Sequence, residues 1–218
     1  MKKTNIFLIR HGEVINPQKI MYGSLVDVPL SFIGMGQIKT LAHQLRQRGI
    51  SPNAIFSSNL TRAIHSAEII KEILVPNIQI QQDIRLRDID HPGLERHTIE
   101  WGDTIPDMWS YKGPEMEGVS LERREDLVDR MMSAVSDINK NHQGENVLIV
   151  SHGHPTAYLM WAFLHPNETN LPLPADLIKQ GIYLGKAEAW YLRFNNGTFT
   201  EHEHIPREGI GKMDKERL

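Results

Sequence analysis

The stretch Ile6-Phe7-Leu8-Ile9-Arg10-His11-Gly12-Glu13 decides how this chain is read. Four apolar residues in a row suit a strand buried on both faces, as in a parallel sheet. A histidine follows at the mouth of that strand, between an arginine and a glycine. The strand holds these residues rigidly. The glycine lets a bulky group approach the backbone. The arginine presents a planar fork of donors that suits phosphate oxygens. The pattern points to an imidazole that attacks an anionic group, or is presented to one. Alone, the tripeptide is a weak motif. It gains force only if the rest of the chain supplies more cations and a proton donor.

Outward from residues 5–10, apolar runs alternate with helix-like stretches. A helix is expected from Phe32 to Arg48, with Ser31 as N-cap and Gly49 as its stop. Ala54-Ile55-Phe56-Ser57 reads as a short strand, followed by a helix over Leu60–Leu74 closed by Pro76. Ile78-Gln79-Ile80 alternates like another strand. Residues 88–118 are irregular and rich in Pro, Gly, Trp and acids, as functional loops often are. Ser120 would cap an amphipathic helix running to Asn139. Val147-Leu148-Ile149-Val150 is a second fully apolar strand, with helix-like sequence after it. The Leu164–Gly185 connection holds a short helix near Ala175–Gln180. Ala189–Phe194, Asn195-Asn196-Gly197 and Thr198-Phe199-Thr200 read as a hairpin. The alternation implies an α/β domain with a largely parallel, two-sided sheet. Ligands of such sheets sit beyond the carboxyl ends of the strands, where both His11 and Ser151-His152-Gly153 fall.

Composition removes several alternatives. The 218 residues are 40% hydrophobic and 23% charged, enough for one substantial core. A net charge of -3 argues against a nucleic-acid surface, which needs a basic excess. The absence of cysteine excludes disulfides, thiolate catalysis and cysteine-based zinc sites, and fits a cytoplasmic protein. Met1-Lys2-Lys3 before Phe7-Leu8-Ile9 is no signal peptide, because the apolar run is short and Arg10 interrupts it. No stretch approaches the roughly 20 apolar residues of a membrane span.

Two further constellations follow strands. Ser57-Ser58-Asn59-Leu60-Thr61-Arg62-Ala63 places Arg62 in the first turn of a helix, where the helix dipole disfavours a cation unless an anion binds there. Val150-Ser151-His152-Gly153-His154-Pro155 repeats the order strand, histidine, glycine, helix. Singly, each histidine or arginine is more often structural; together they converge.

At these residues the chain resembles the histidine phosphatase superfamily, the phosphoglycerate mutase-like group. The likeness spans roughly residues 5–160. It runs through Ile9-Arg10-His11-Gly12-Glu13, Asn16, Asp27-Val28-Pro29-Leu30-Ser31, Gly34 and Gln37. It continues through the Ser57–Ala63 block, Ser66-Ala67-Glu68 and Val150-Ser151-His152-Gly153. The resemblance implies a three-layer α/β/α sandwich forming a single catalytic domain over residues 1–206. The charged tail 207–218 is expected to fray. It implies that His11 attacks phosphorus, with Arg10, Arg62 and His152 around the phosphoryl oxygens and Gly153 beside them. Glu13 and Asn16 would orient substrate, and no metal or other cofactor is required. Physics agrees with that set. Phosphoryl transfer needs positioning and charge at the equatorial oxygens. A unit charge pair about 4 Å apart is worth roughly 4 kcal/mol at an effective dielectric near 20.

The proton donor is the departure. The family places a glutamate in a Leu-x-Glu segment; this chain has Leu86-Arg87-Asp88-Ile89-Asp90. Asp88 is the expected general acid, provided that burial or nearby phosphate raises it. Asp90 and Glu13 are the fallbacks. The bland alternative pairs Asp88 with Arg85 or Arg87. His154 would touch substrate, hold a water or cap the following helix. His202 and His204 share one strand face, read as solvated rather than metal-binding. Trp101, Met108, Trp109, Tyr111 and Met116 either cover the leaving group or pack beneath the loop.

The resulting expectation is a metal-independent phosphomonoester hydrolase working through a phosphohistidine on a small phosphorylated metabolite. The alternatives are a phosphoglycerate-type mutase using the same phosphohistidine, and a catalytically impaired regulatory or binding member. Mutases of this type carry a tryptophan after the early-loop glycine and a Glu-Arg-His-Tyr-Gly stretch at the acid. Here those places read Tyr22-Gly23-Ser24-Leu25 and Arg87-Asp88-Ile89-Asp90-His91, which favours hydrolysis. A homodimer is compatible with the Leu164–Gly185 connection and the tail. No nucleic-acid or membrane partner is expected.

Overall fold

A computed structural model describes residues 2–104 and 122–208. Six strands form one sheet in the order β3-β2-β4-β1-β5-β6. Strands β1 (Lys3–Arg10), β2 (Ala54–Ser57), β3 (Ile80–Gln82) and β4 (Asn146–Ser151) run parallel. β5 (Ala189–Asn195) is antiparallel to β1, and β6 (Thr198–Ile205) is antiparallel to β5. Successive side chains of a strand point to opposite faces, so the apolar runs feed two cores. Ile6 and Leu8 of β1 join Val147 and Ile149 of β4 in one core. Phe7, Ile9, Leu148 and Val150 join the other. The first core is covered by helices α4 (Arg124–Asn141), α5 (Gly153–Leu164) and α6 (Pro174–Lys179). The second is covered by α1 (Phe32–Gln47) and α2 (Thr61–Leu74). The expected three-layer sandwich is therefore present. Among the described residues, no helix is long and apolar enough to cross a membrane.

Several boundaries differ from the sequence reading for local reasons. Ile78 closes a turn onto Val75, so β3 starts two residues late, with Ile80 beside Ile55. β6 extends to Ile205 because it pairs with the whole of β5, up to Ala189 beside Ile205, and His202 and His204 lie against Trp190 with ring centroids 5.8 and 5.1 Å away. The N-cap position of α4 is Arg123; Ser120 lies outside the described residues. A short helix, α3 (Ile99–Asp103), stands inside the stretch read as irregular. Met108, Trp109, Tyr111 and Met116 lie outside the described residues, as does the tail beyond Glu208.

The entry to α1 anchors the loop after β1. Ser31 Oγ accepts from the Gly34 N–H at 2.9 Å and donates to the Glu13 carboxylate at 2.8 Å. The Glu13 N–H donates to Gln37 Oε1 at 2.8 Å. Gly12 and Gly34 then meet backbone to backbone. A Cβ on Gly34 would strike the Glu13 carbonyl oxygen, whereas a Cβ on Gly36 meets nothing within 4 Å. Gly34→Ala is thus expected to destabilise the fold by roughly 1–3 kcal/mol through overpacking. Gly36→Ala, on the exposed side of the same helix, should be neutral or stabilising by up to about 1 kcal/mol. Urea unfolding of the two variants checks the contrast.

Candidate active site

The register of three parallel strands assembles the site. In β1 and β4, Arg10 lies beside Ser151; in β2 and β4, Ser57 lies beside Val150. The next residues, His11, His152 and Ser58, therefore leave the sheet side by side. The His11 N–H donates to the Ser151 carbonyl at 3.1 Å, and the two imidazole centroids are 5.1 Å apart, edge to face. His152 Nε2 meets Ser58 Oγ at 2.8 Å, and that hydroxyl accepts from the Leu60 N–H at 3.2 Å. A hydroxyl already accepting serves His152 best by donating, which leaves the imidazole proton on Nδ1.

His11 is 1% exposed, and its Nδ1 lies 2.7 Å from the Gly12 carbonyl oxygen. A carbonyl only accepts, so Nδ1 carries the proton and Nε2 carries the lone pair. Burial, followed by the charges of Lys186, His152, Arg62 and Arg10, holds the His11 pKa well below the ordinary imidazole value. Burial likewise depresses His152, with Arg62, Arg130 and Arg10 adding to it and Asp88 opposing it. Both rings are neutral near pH 7.

Two arginines flank them. Arg10 donates from Nη1 to the Leu184 carbonyl at 2.7 Å and lies 5.1 Å over the Tyr183 ring. Arg62, fully buried in the first turn of α2, donates to the carbonyls of Leu25 at 3.0 Å and Gly23 at 2.5 Å. It also donates to Asp88 Oδ2 at 3.2 Å. Arg10 Nε, Arg62 Nε and His152 Nδ1 are buried with no hydrogen-bond partner among the described residues. An unsatisfied buried donor costs about 1–3 kcal/mol. An oxyanion seated among them would relieve all three.

One nitrogen of each histidine and an Asp88 oxygen lie within 4.8 Å of one another, a spacing that a metal ion can use. The surrounding charge decides between the two occupants. Arg10, Arg62 and Lys186 all act on His11. Three cations repel a dication and attract a phosphoryl group. The N-terminus of α5, with Gly153 at its first position, adds to the same positive field.

Asp88 is brought into this cluster, but not as a ready acid. Its partners are Arg62 and, at 3.7 Å, His152 Nδ1, rather than Arg85 or Arg87. Arg85 pairs with Asp83 and Asp137, and Arg87 with Asp90. Burial pushes the Asp88 carboxyl up. His152, Arg62, His154 and the Ile89 N–H outweigh burial and hold it well below the usual carboxylate range. The expected rise does not occur in the free site, because the permanent charge of Arg62 faces the carboxylate directly.

Other expected residues take different places. The Glu13 carboxylate accepts from Ser31, and Asp90 accepts from Ser24 at 2.6 Å and Arg87 at 2.9 Å. The Asn16 amide closes its own loop, donating to the Ile20 carbonyl at 2.9 Å and accepting from the Ile20 N–H at 3.0 Å. His154 packs edge to face on Tyr183 at 5.4 Å, and burial lowers its pKa to about 4. A Cβ on Gly153 would strike the Tyr183 hydroxyl, which explains the glycine there. Trp101 stacks on His97 at 4.0 Å.

Sequence reading missed four residues. Lys186 donates from Nζ to Tyr22 Oη at 3.1 Å, and the Tyr22 ring lies beneath Arg62 at 4.9 Å. Tyr183 supports Arg10. Arg130 of α4 donates to the carbonyls of Arg85, Arg87 and Asp88 at 2.7–3.1 Å, fixing the segment that carries Asp88. Its ion pair with Glu122, at 2.5 Å, completes that brace. Only Tyr22 had a sequence signal, at the position where the mutases carry a distinctive early loop.

The family model "Histidine phosphatase superfamily (branch 1)" matches residues 6–177. The uncharacterized phosphatase PhoE of Bacillus subtilis is 34% identical over 154 residues, covering 69% of this chain and 72% of its own. The probable phosphoglycerate mutase GpmB of Yersinia enterocolitica is 29% identical over 167 residues, covering 73% and 74%. The solved structure of Bacillus stearothermophilus YhfR superposes with a TM-score of 0.75 at 30% identity, over 96% of this chain and 98% of that one. The matched region holds the strand-end histidines and the arginines described above, and the chain belongs to the histidine phosphatase superfamily.

Proposed function

We propose that this protein hydrolyses a small phosphomonoester through a phosphohistidine on His11, without a metal. One observation carries the reading. The hydrogen bond from His11 Nδ1 to the Gly12 carbonyl leaves Nε2 as a lone-pair nucleophile, in a site that also holds two arginines, unpartnered donors and the Asp88 carboxylate. In the first step Nε2 attacks phosphorus, the bond to the leaving oxygen breaks, and that oxygen takes the proton of Asp88, which the negative charge of the bound phosphate has brought to its acid form. Arg10, Arg62 and His152 bear the negative charge of the equatorial oxygens. In the second step water attacks phosphorus and the P–N bond breaks. Asp88, ionised by the first step and facing Arg62, takes the proton of the attacking water and so regains its acid form. Splitting hydrolysis in two in this way replaces one difficult displacement by two easier ones.

The mutase alternative uses the same nucleophile, and the likeness to GpmB keeps it in view. Tyr22-Gly23-Ser24-Leu25 and Arg87-Asp88-Ile89-Asp90-His91 depart from the mutase pattern and favour water as acceptor. A regulatory member without activity fits poorly with an intact pair of arginines and histidines. We place the protein in the cytoplasm on its lack of cysteine.

Release of inorganic phosphate from nitrophenyl phosphate should persist in EDTA and fall by at least about 1000-fold in His11→Ala. Phosphate release that survives this substitution contradicts the nucleophile, and interconversion of phosphoglycerates in its place selects the mutase. Asp88→Asn should lower kcat/KM by about 100-fold or more on an alkyl phosphate and far less on nitrophenyl phosphate, whose phenolate leaves unaided. An equal loss on both esters would contradict Asp88 as the proton donor.

A further inference from the structure

Lys186 is a cation that the phosphoryl site does not use up. It stands in the turn over residues 185–188 that leads into β5. Glu188 locks this turn: its carboxylate accepts from the Gly185 N–H at 2.9 Å and meets His204 Nε2 at 2.9 Å. The Glu188 carbonyl accepts from the Arg10 N–H at 3.0 Å, and the Ala187 N–H donates to the His11 carbonyl at 3.2 Å. Ala187 is buried at φ +55°, a left-handed conformation that favours glycine. The backbone thus accepts strain to keep Lys186 beside the nucleophile.

Among the described residues Lys186 has one hydrogen bond, from Nζ to Tyr22 Oη at 3.1 Å, and no carboxylate partner. An ammonium has three N–H donors, so two remain for a ligand. Burial lowers the Lys186 pKa; Arg10 and Arg62 add to this and Tyr22 opposes it. A half-buried ammonium set among guanidiniums is unfavourable until an anion joins it. The phosphoryl group does not account for it. Three unpartnered donors, Arg10 Nε, Arg62 Nε and His152 Nδ1, match the three terminal oxygens in number. With Asp88 in its acid form, Arg10 and Arg62 balance the two charges of a bound phosphomonoester. Lys186 is one positive charge more. His11, Arg62 and His152 are buried, whereas Lys186 and Tyr22 are half-buried. An ester whose phosphoryl group sits on the buried floor extends its other atoms outward, the side on which Lys186 and Tyr22 reach solvent.

We propose that Lys186 binds a carboxylate on the alcohol part of the substrate and so selects carboxylated phosphomonoesters. The inference rests on the phosphatase reading above and adds a substrate class to it. One carboxylate supplies the one negative charge that is missing. Its two oxygens suit the two remaining ammonium donors. The Tyr22 oxygen takes the third donor and fixes the ammonium in place. The Tyr22 ring, with Arg62 over it at 4.9 Å and Lys186 at 5.7 Å, ties the proposed carboxylate site to the phosphoryl site.

The test compares carboxymethyl and 2-carboxyethyl phosphate, each with its carbamoyl analogue, which has the same length and lacks the charge. Wild type should prefer the carboxylate by about 10- to 100-fold in kcat/KM at one of the two lengths. Lys186→Met and Lys186→Gln should bring that ratio to within about threefold of one, whatever common fall the two rates share. Circular dichroism reports whether each variant is folded. A ratio near one in wild type at both lengths overturns the inference without any variant. A ratio that survives in either folded variant overturns it too, and gives Lys186 to the phosphoryl group. In both cases hydrolysis of the carbamoyl esters leaves the phosphatase reading standing. If wild type hydrolyses none of these esters and no nitrophenyl phosphate, that reading fails and this inference fails with it.

Discussion

The parallel pairing of β1 with β4, Arg10 beside Ser151, is the constraint on which the site depends. It makes two strands end at the same height and sends His11 and His152 out together. The pairing of β2 with β4 adds Ser58 and, one turn later, Arg62. Slipping any of these strands by one residue would turn its side chains to the opposite core and separate the pair. The all-apolar strands that read as a fold signal are thus the reason the polar residues meet. Both faces of each strand are buried, so the register cannot drift.

Placing these groups in one cavity sets their protonation. Burial keeps both imidazoles neutral and the arginines remain charged. Asp88 remains ionised because Arg62 touches it. The free site therefore holds a lone pair, two guanidiniums, a nearby ammonium and one carboxylate. Its unpartnered donors, Arg10 Nε, Arg62 Nε and His152 Nδ1, suit an oxyanion.

Much of this was legible in the chain. Arg10, His11, Arg62 and His152 each sit within a few residues of an apolar strand, so their convergence follows from the rule for parallel sheets. What stayed hidden depends on contacts across long sequence separations. Tyr22 meets Lys186 from 164 residues away, and Arg62 meets Asp88 across 26. Local pattern carries no signal for such pairs, so Arg85 and Arg87 looked like better partners for Asp88. Nothing in the local pattern marks Arg130, although it braces the Asp88 segment through three carbonyls. Asn16 lay within a matching block, yet its side chain is occupied by the backbone of Ile20.

The central claim is that His11 Nε2 forms a bond to phosphorus. Quenching the enzyme into alkali during turnover of nitrophenyl phosphate, then mapping the phosphorylated peptide by mass spectrometry, tests it directly. The expected product carries the phosphoryl group on His11, at Nε2. A phosphoryl group on Nδ1 or on another residue would contradict the account. So would the absence of any phosphopeptide in a reaction quenched during a product burst.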